Sequence, residues 1–401
     1  MRQSSTNEIT VSKRIIKIAI AAIAIGIMMI LIAVATSLGL QREIKRKVVA
    51  LSGDMRIAPF ENNNSSLSIR PIDSSQINQK TWFSTKKIEL IHPFINKAVL
   101  LKNNEEFEGG ILKGINSDFS FEKISDYWIS GSALTFSDIP SKEIILSQTM
   151  TNKLNVKLGD RITAYFQSKN TDGIPKIRYF TLLGIFETGF PEFDQSFAFV
   201  DIRQLQNLNQ WSSSQIGGYE VFFNSQVDMD KAVEDIYQQL PPEIDAQSVR
   251  QLFPSIYEWI ALFDFNVLII LIVMVLVGTL NMSTALLVLI LERSRMIGVL
   301  KSLGASNKQI QRVFLWNASY IVAKGLLIGN IVALFILGSQ YYWGWLTLDP
   351  ETYYVNEVPI YFSFSYFSLL NLFVLGICIL LLWIPSSLVS RIDPIRVLRF
   401  R

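Results

Sequence analysis

Residues 15–40 read I-I-K-I-A-I-A-A-I-A-I-G-I-M-M-I-L-I-A-V-A-T-S-L-G-L, a run whose sole charge is Lys17. A hydrocarbon core about 30 Å thick is crossed by about 20 apolar helical residues, so this run can span a bilayer. Comparable runs recur at 262–291, 313–338 and 366–390, while 41–261 is mostly polar. The expected fold is therefore an α-helical membrane protein: four transmembrane helices, with a large α/β domain inserted between helices 1 and 2.

Lys13, Arg14 and Lys17 precede or open the first run, as basic residues do in a signal peptide. The run is too long for that, and no small-x-small site ends it, so it is expected to be an uncleaved signal anchor. Basic residues around the later runs set the orientation. Arg293, Arg295, Lys301, Lys308 and Arg312 lie in 291–312, and Arg391, Arg396, Arg399 and Arg401 in the tail. Loop 341–363 has no Lys or Arg and carries Asp349, Glu351 and Glu357. Both termini are thus expected in the cytoplasm and the large domain outside. The resulting partition is a cytoplasmic N-terminus (1–14), helix 1 (15–40), an outer domain (41–261) and helix 2 (262–291). A cytoplasmic helix and loop (292–312), helix 3 (313–338), an outer loop (339–365), helix 4 (366–390) and a cytoplasmic tail (391–401) follow.

The formal net charge of +3 conceals an asymmetry, because residues 41–261 hold 23 Lys and Arg against 27 Asp and Glu. The positive excess belongs to the membrane and cytoplasmic segments, which reflects topology and gives no sign of nucleic-acid binding. The single cysteine, Cys378, lies in the fourth run. No intrachain disulfide is available, so the outer domain must rely on its hydrophobic core. No cysteine stands near the N-terminus for lipid attachment.

Within the outer domain, 161–167 alternates Ile162, Ala164 and Phe166 with Thr163, Tyr165 and Gln167, which predicts a half-buried strand. A second strand is expected over 178–186. Asp172-Gly173 between them suits a tight turn with positive φ, so 168–176 reads either as a projecting hairpin or as an ordinary surface loop. Met229, Ala232, Val233, Ile236, Tyr237 and Leu240 recur at helical spacing, with Asp228 placed to cap and Pro241-Pro242 to stop the helix. The Asn/Ser-rich run 62–66 reads as a loop, and Gly53 and Pro59 bracket a strand start.

Catalytic constellations are absent from the sequence. His92 is the only histidine and has no cysteine or obvious carboxylate cluster beside it, which favours a local structural role over a metal site. No G-x-x-x-x-G-K-[ST] loop occurs, so any work driven by ATP needs hydrolysis on another chain. Catalytic residues, metal ligands and cofactors are accordingly expected to be none in this chain.

Residues 292–306 read E-R-S-R-M-I-G-V-L-K-S-L-G-A-S, charges interleaved with Met296, Ile297, Val299, Leu300 and Leu303. This predicts a short amphipathic helix ended by Gly304. By composition it could be a helix lying in the membrane interface. The run also resembles the coupling helix of FtsX/MacB-type ABC transporter permeases, in the position between the second and third spans. Further stretches resemble the lipoprotein-releasing LolC/LolE permeases within that superfamily. They are L-Q-R-E-I-K-R-K-V-V-A-L-S-G-D-M-R-I after the first span, E-I-I-L-S-Q-T-M-T-N-K-L-N-V-K-L-G-D-R-I, and L-L-G-I-F-E-T-G-F-P-E-F-D-Q-S-F-A-F-V. The outer loop L-D-P-E-T-Y-Y-V-N-E-V-P-I and the tail D-P-I-R-V-L-R-F complete the set.

The resemblance implies a non-catalytic permease in the bacterial inner membrane, paired with a second permease chain, either a copy of itself or a diverged sister. A separate LolD-like ABC ATPase dimer would bind ATP and Mg and push the coupling helix, through Glu292, Arg293, Arg295, Ile297, Gly298, Lys301 and Gly304. Asp393, Pro394, Val397 and Leu398 match the tail motif beside it. Triacylated lipoproteins would enter from the outer leaflet and pass to a LolA-like periplasmic carrier. Met29, Ala33 and Ser37 of the first span and Phe265, Ile269 and Leu276 of the second are candidates to line their cavity. In the LolC branch a hairpin captures the carrier, and Asp172, Gly173, Ile174 and Pro175 fall in the corresponding place.

Two other classes share these features: an FtsX-like regulator of a periplasmic cell-wall hydrolase, and a MacB-like exporter, which normally carries its ATPase on the same chain. Ala22 and Gly26 form a small-xxx-small pair on the first span, suited to close helix approach. Lys324 lies mid-span in the third run, where an ammonium requires protein, water or snorkelling, so it implies a structural partner such as a carbonyl or a transport role.

Overall fold

The computed structural model describes residues 2–62, 65, 67–77, 88–167, 174–224 and 227–386. They form a helical unit, Met1–Arg42, Trp259–Thr347 and Glu357–Arg401, and an α/β unit, Glu43–Glu258 and Leu348–Asn356.

Four long helices carry membrane-length apolar windows: Arg2–Ser52, Pro254–Glu292, Asn307–Trp343 and Phe364–Ser386. The first runs past residue 40 because Ile44, Val48 and Leu51, at i, i+4 and i+7, are all buried, which keeps one face apolar after the all-apolar part ends. Ser306 starts the third by a reciprocal capping box, its hydroxyl taking the Gln309 N–H while the Gln309 side chain takes the Ser306 N–H. In the second long helix only 11% of the most apolar window is buried, against 44% in the first. A helix apolar all round and so little covered by its own chain is suited to lipid or to another membrane partner.

Close packing in this unit rests on Gly325 and Gly329 of the third long helix. A Cβ on Gly325 would stand 2.7 Å from Ile23 Cγ2 and 3.2 Å from the Ile20 carbonyl, and one on Gly329 would overlap Ile27 and the Ala24 carbonyl. The small-xxx-small pair expected on the first span is not the tight one. Gly26 clears its nearest neighbour, the Met274 carbonyl, by 4.0 Å, and the first helix meets the third through Ile20, Ile23, Ala24 and Ile27. Asn330 and Asn371 exchange amide hydrogen bonds of 2.7 and 3.1 Å, tying the third helix to the fourth. Lys324 faces outward, its ammonium 4.5 Å from the Tyr320 ring centroid, so its contact is an aromatic face rather than a carbonyl.

The α/β unit holds β1 (Met55–Pro59), β2 (Ile72–Asp73), β3 (Ile88–Asn103), β4 (Glu106–Ile115), β5 (Trp128–Gly131) and β6 (Glu143–Ser147). β7 (Arg161–Phe166), β8 (Lys176–Phe186), β9 (Phe197–Asp201), β10 (Gln215–Ile216), β11 (Gly218–Phe223) and β12 (Ile244–Ser248) complete it. The main sheet runs β12-β1-β11-β3-β4-β9-β6-β8-β5, with β7 paired to β3 and β8. The β4–β9 and β6–β8 pairs are parallel and the others antiparallel. Ile57, Ile95, Leu101, Leu112, Leu146 and Val221 lie in one buried core with the inner faces of helices Gln148–Leu154, Ile202–Asn209 and Met229–Tyr237. Asp228 stands at the N-cap position of the last of these without a side-chain cap bond, and its carboxylate pairs with Lys231 at 3.3 Å instead.

Candidate functional site

The second long helix breaks at Arg293, whose φ of −95° and ψ of 10° leave the α region, and a new helix runs Ser294–Ser302. Gly304, with φ +91°, ends it, as the Ala305 N–H returns to the Leu300 carbonyl at 2.9 Å. One face turns inward: Ile297 has no exposure and Gly298 is also buried, Ile297 packing in the core of the helical unit. These two are turned into the chain's own packing. Met296, Val299, Leu300 and Leu303 stand at i, i+3, i+4 and i+7 on the opposite face, and all four are exposed, Leu303 at 78%. Glu292, Arg293, Arg295 and Gly304 are exposed and Lys301 is half-buried. The result is an outward apolar stripe rimmed by charge.

Of the residues expected to face lipid or cargo, Met29, Phe265, Ile269 and Leu276 are exposed and Ala33 is half-buried. Ser37 is buried. Its hydroxyl accepts from Gln41 Nε2 at 3.3 Å, and the same amide donates to Asp264 at 2.7 Å, so Ser37 belongs to a polar clasp between the first two long helices.

β7 and β8 pair from Arg161↔Thr181 to Phe166↔Lys176, which makes the expected hairpin. Asp172 and Gly173 lie outside the described residues, as do Asp393, Pro394, Val397 and Leu398 of the tail. Ile174 is 73% exposed and Pro175 is exposed, just beyond the last paired residue.

Segment 348–356 straps onto the α/β unit. Lys47, buried at the end of the first long helix, donates to the carbonyls of Thr188 at 2.5 Å and Tyr354 at 2.8 Å. Thr188 belongs to a turn organised by Asp194, which accepts from Thr188 Oγ1 and the Gly189 N–H, both at 2.9 Å. Burial nonetheless holds the Asp194 carboxyl above the ordinary carboxylate range. The Phe190 ring carried by this turn receives the Tyr354 ring.

His92 is fully buried, edge-on to Phe119 and 3.4 Å from Glu220, which in turn accepts from Lys113 at 2.7 Å. Burial lowers its pKa from 6.5 to about 4, so it is neutral near pH 7, a structural group in a polar row. Several features escaped the sequence reading. Gly325-x-x-x-Gly329 and the spacing of Met296, Val299, Leu300 and Leu303 were legible as patterns, whereas the convergence of Lys113, Glu220 and His92 depends on the register of separated strands.

The chain matches the MacB-like periplasmic core domain over residues 18–239 and the FtsX-like permease C-terminal family over residues 268–394. It is 21% identical over 372 residues to the lipoprotein-releasing system transmembrane protein LolE of Haemophilus influenzae, covering 90% of this chain and 88% of that one. To LolC of Neisseria meningitidis serogroup B it is 22% identical over 408 residues, covering 96% and 93%. Among solved structures it aligns with the periplasmic region of MacB from Actinobacillus actinomycetemcomitans at 15% identity and a TM-score of 0.37, covering 52% of this chain and 95% of that one. The chain belongs to the superfamily of ABC transporter permeases in which a MacB-like periplasmic core domain is joined to an FtsX-like permease C-terminal region.

Proposed function

We propose that this chain is the membrane subunit of a lipoprotein-releasing ABC transporter of the bacterial inner membrane, with its α/β domain inserted between the first two spans on the periplasmic side. It withdraws triacylated lipoproteins from the outer leaflet and passes them to a LolA-like carrier. Similarity to LolC and LolE along nearly the whole chain supports the cargo. Freeing three acyl chains costs about 0.8 kcal/mol per CH₂, tens of kcal/mol in all, so an energy source and an acceptor are both required.

The observation that carries the mechanism is the outward stripe Met296, Val299, Leu300 and Leu303 on the short helix Ser294–Ser302. A LolD-like ATPase dimer, which binds ATP and Mg, takes this stripe into a groove, while Glu292, Arg293 and Arg295 set the register. Closure of the dimer then moves the spans on either side of the helix. A second permease chain, a copy or a sister, completes the cavity, with Met29, Ala33, Phe265, Ile269 and Leu276 toward the cargo. The exposed Ile174 and Pro175, with Asp172 and Gly173, form the carrier-binding tip.

The test is copurification with the ATPase, with acylated proteins identified by mass spectrometry. Met296→Glu combined with Leu303→Glu is expected to abolish ATPase retention without altering the chain's melting. Ile297→Ala should instead destabilise the chain by about 2–5 kcal/mol through a core cavity. Retention of the ATPase by the double variant would overturn the coupling role, and an absence of acylated proteins from the intact complex would overturn the cargo.

A further inference from the structure

Gln247 of β12, Arg56 of β1, Glu220 of β11 and His92 of β3 stand directly opposite one another across four neighbouring antiparallel strands. Directly paired residues share a sheet face, so the α/β unit carries an unbroken polar row across one face. Ile57, Val221 and Ile91, one residue along their strands, turn to the other face and are buried. Over Gln247, Arg56 and Glu220 of this row lies a cavity of about 520 Å³, lined also by Lys113, Asn96 and Ser196 among others.

The charges here are not equally satisfied. Lys113 donates to Glu220 at 2.7 Å and to the Leu51 carbonyl at 2.5 Å, and both charged side chains are almost wholly buried. Arg56 makes a long bond of 3.4 Å to Gln247 Oε1, and among the described residues no carboxylate lies in ion-pair reach of it. Its guanidinium has five donors, and the residue keeps partial exposure, so a ligand can reach it. Burial also lowers its pKa, as expected for a cation with incomplete neutralisation.

We propose that this cavity binds a carboxylate, gripped in bidentate fashion by Arg56 beside the Gln247 amide. A planar carboxylate matches the guanidinium fork. Glu220 and Glu192 also line the wall, which tolerates a singly charged anion against Arg56 and repels a doubly charged phosphate. The carboxylate comes either from an acidic side chain of a polypeptide or from a free organic acid. The site lies wholly in the α/β unit and does not rest on the transport reading.

Titration calorimetry on the full chain in nanodiscs tests it, with propionate, N-acetyl-Gly-Asp-Gly-amide, the same peptide with Asn for Asp, and phosphate as probes. At least one carboxylate probe is expected to saturate below about 10 mM, with the Asn peptide and phosphate silent. The Asp peptide binding more tightly than propionate assigns the site to a polypeptide, and the reverse assigns it to a free acid. Arg56→Met should weaken binding at least about tenfold and Arg56→Lys less, because a point charge keeps attraction but loses the fork. If Arg56→Met does not fold, Gln247→Leu on the edge strand β12 is expected to weaken binding about threefold or more. Silence of both carboxylate probes, equal binding of phosphate, or full binding by folded Arg56→Met or Gln247→Leu overturns the proposal.

Discussion

The ring of Tyr354 lies on that of Phe190 with 4.1 Å between centroids and 14° between planes. Tyr354 adopts a φ of +61° to reach this position, a backbone region that non-glycine residues rarely occupy, and its carbonyl is held by Lys47. Stack and hydrogen bond together outweigh the backbone cost and hold segment 348–356 on the α/β unit. Tyr354→Ala should cost about 1–2 kcal/mol and accelerate hydrogen exchange in 348–356. Tyr354→Phe should stay within about 0.5 kcal/mol, because the hydroxyl's 3.3 Å bond to Glu192 is exposed and the ring stack is kept. Unchanged exchange in the alanine variant would remove the strap.

Lowering the pH acts through His92. In the unfolded chain its imidazole takes a proton below about 6.5, whereas in the buried site it does so only below about 4. Between those values the unfolded chain binds more protons, so stability falls as the pH falls through that window, by up to about 3 kcal/mol. Melting of the wild type should drop steeply from pH 6.5 to 4, and His92→Gln should show a shallower slope. Parallel slopes in the two proteins would refute the assignment.

Two glycines of the long helices should respond in opposite ways. Gly278 has no atom within 4 Å of an added Cβ, so Gly278→Ala is expected to be neutral, or to stabilise by up to about 1 kcal/mol through helix propensity. Gly329→Ala drives a methyl into the Ala24 carbonyl, and should destabilise by about 1–3 kcal/mol. Thermal unfolding in detergent separates the two outcomes.

The reciprocal Asn330–Asn371 amide pair invites a double-mutant cycle with leucine. A coupling energy of about 0.6–1.7 kcal/mol is expected, as for other hydrogen bonds between membrane helices. A value near zero would mean that each amide finds another partner when its mate is removed.

Much of the architecture was legible because its signals are local. Four apolar runs announced four long helices, and the alternation in 161–167 marked β7. The site was read less completely. Ile297 and Met296 are adjacent and equally apolar, yet one is buried and the other faces out, a choice made by the packing of neighbouring helices rather than by composition. Ser37 likewise is held by Gln41, which also reaches Asp264, a pairing between helices that no local pattern shows.

The sequence by itself determined which segments can cross a membrane, that a short amphipathic helix between the second and third ends at Gly304, and that the chain contains no G-x-x-x-x-G-K-[ST] loop. These depend on hydropathy, capping chemistry and spacing along one stretch of chain. Only the tertiary structure decided that Gly325 and Gly329 receive the first helix, that Tyr354 lies on Phe190, and that Gln247, Arg56, Glu220 and His92 form one row. Each of these joins residues far apart in the chain, and strand register and helix rotation are set by how all the faces bury together.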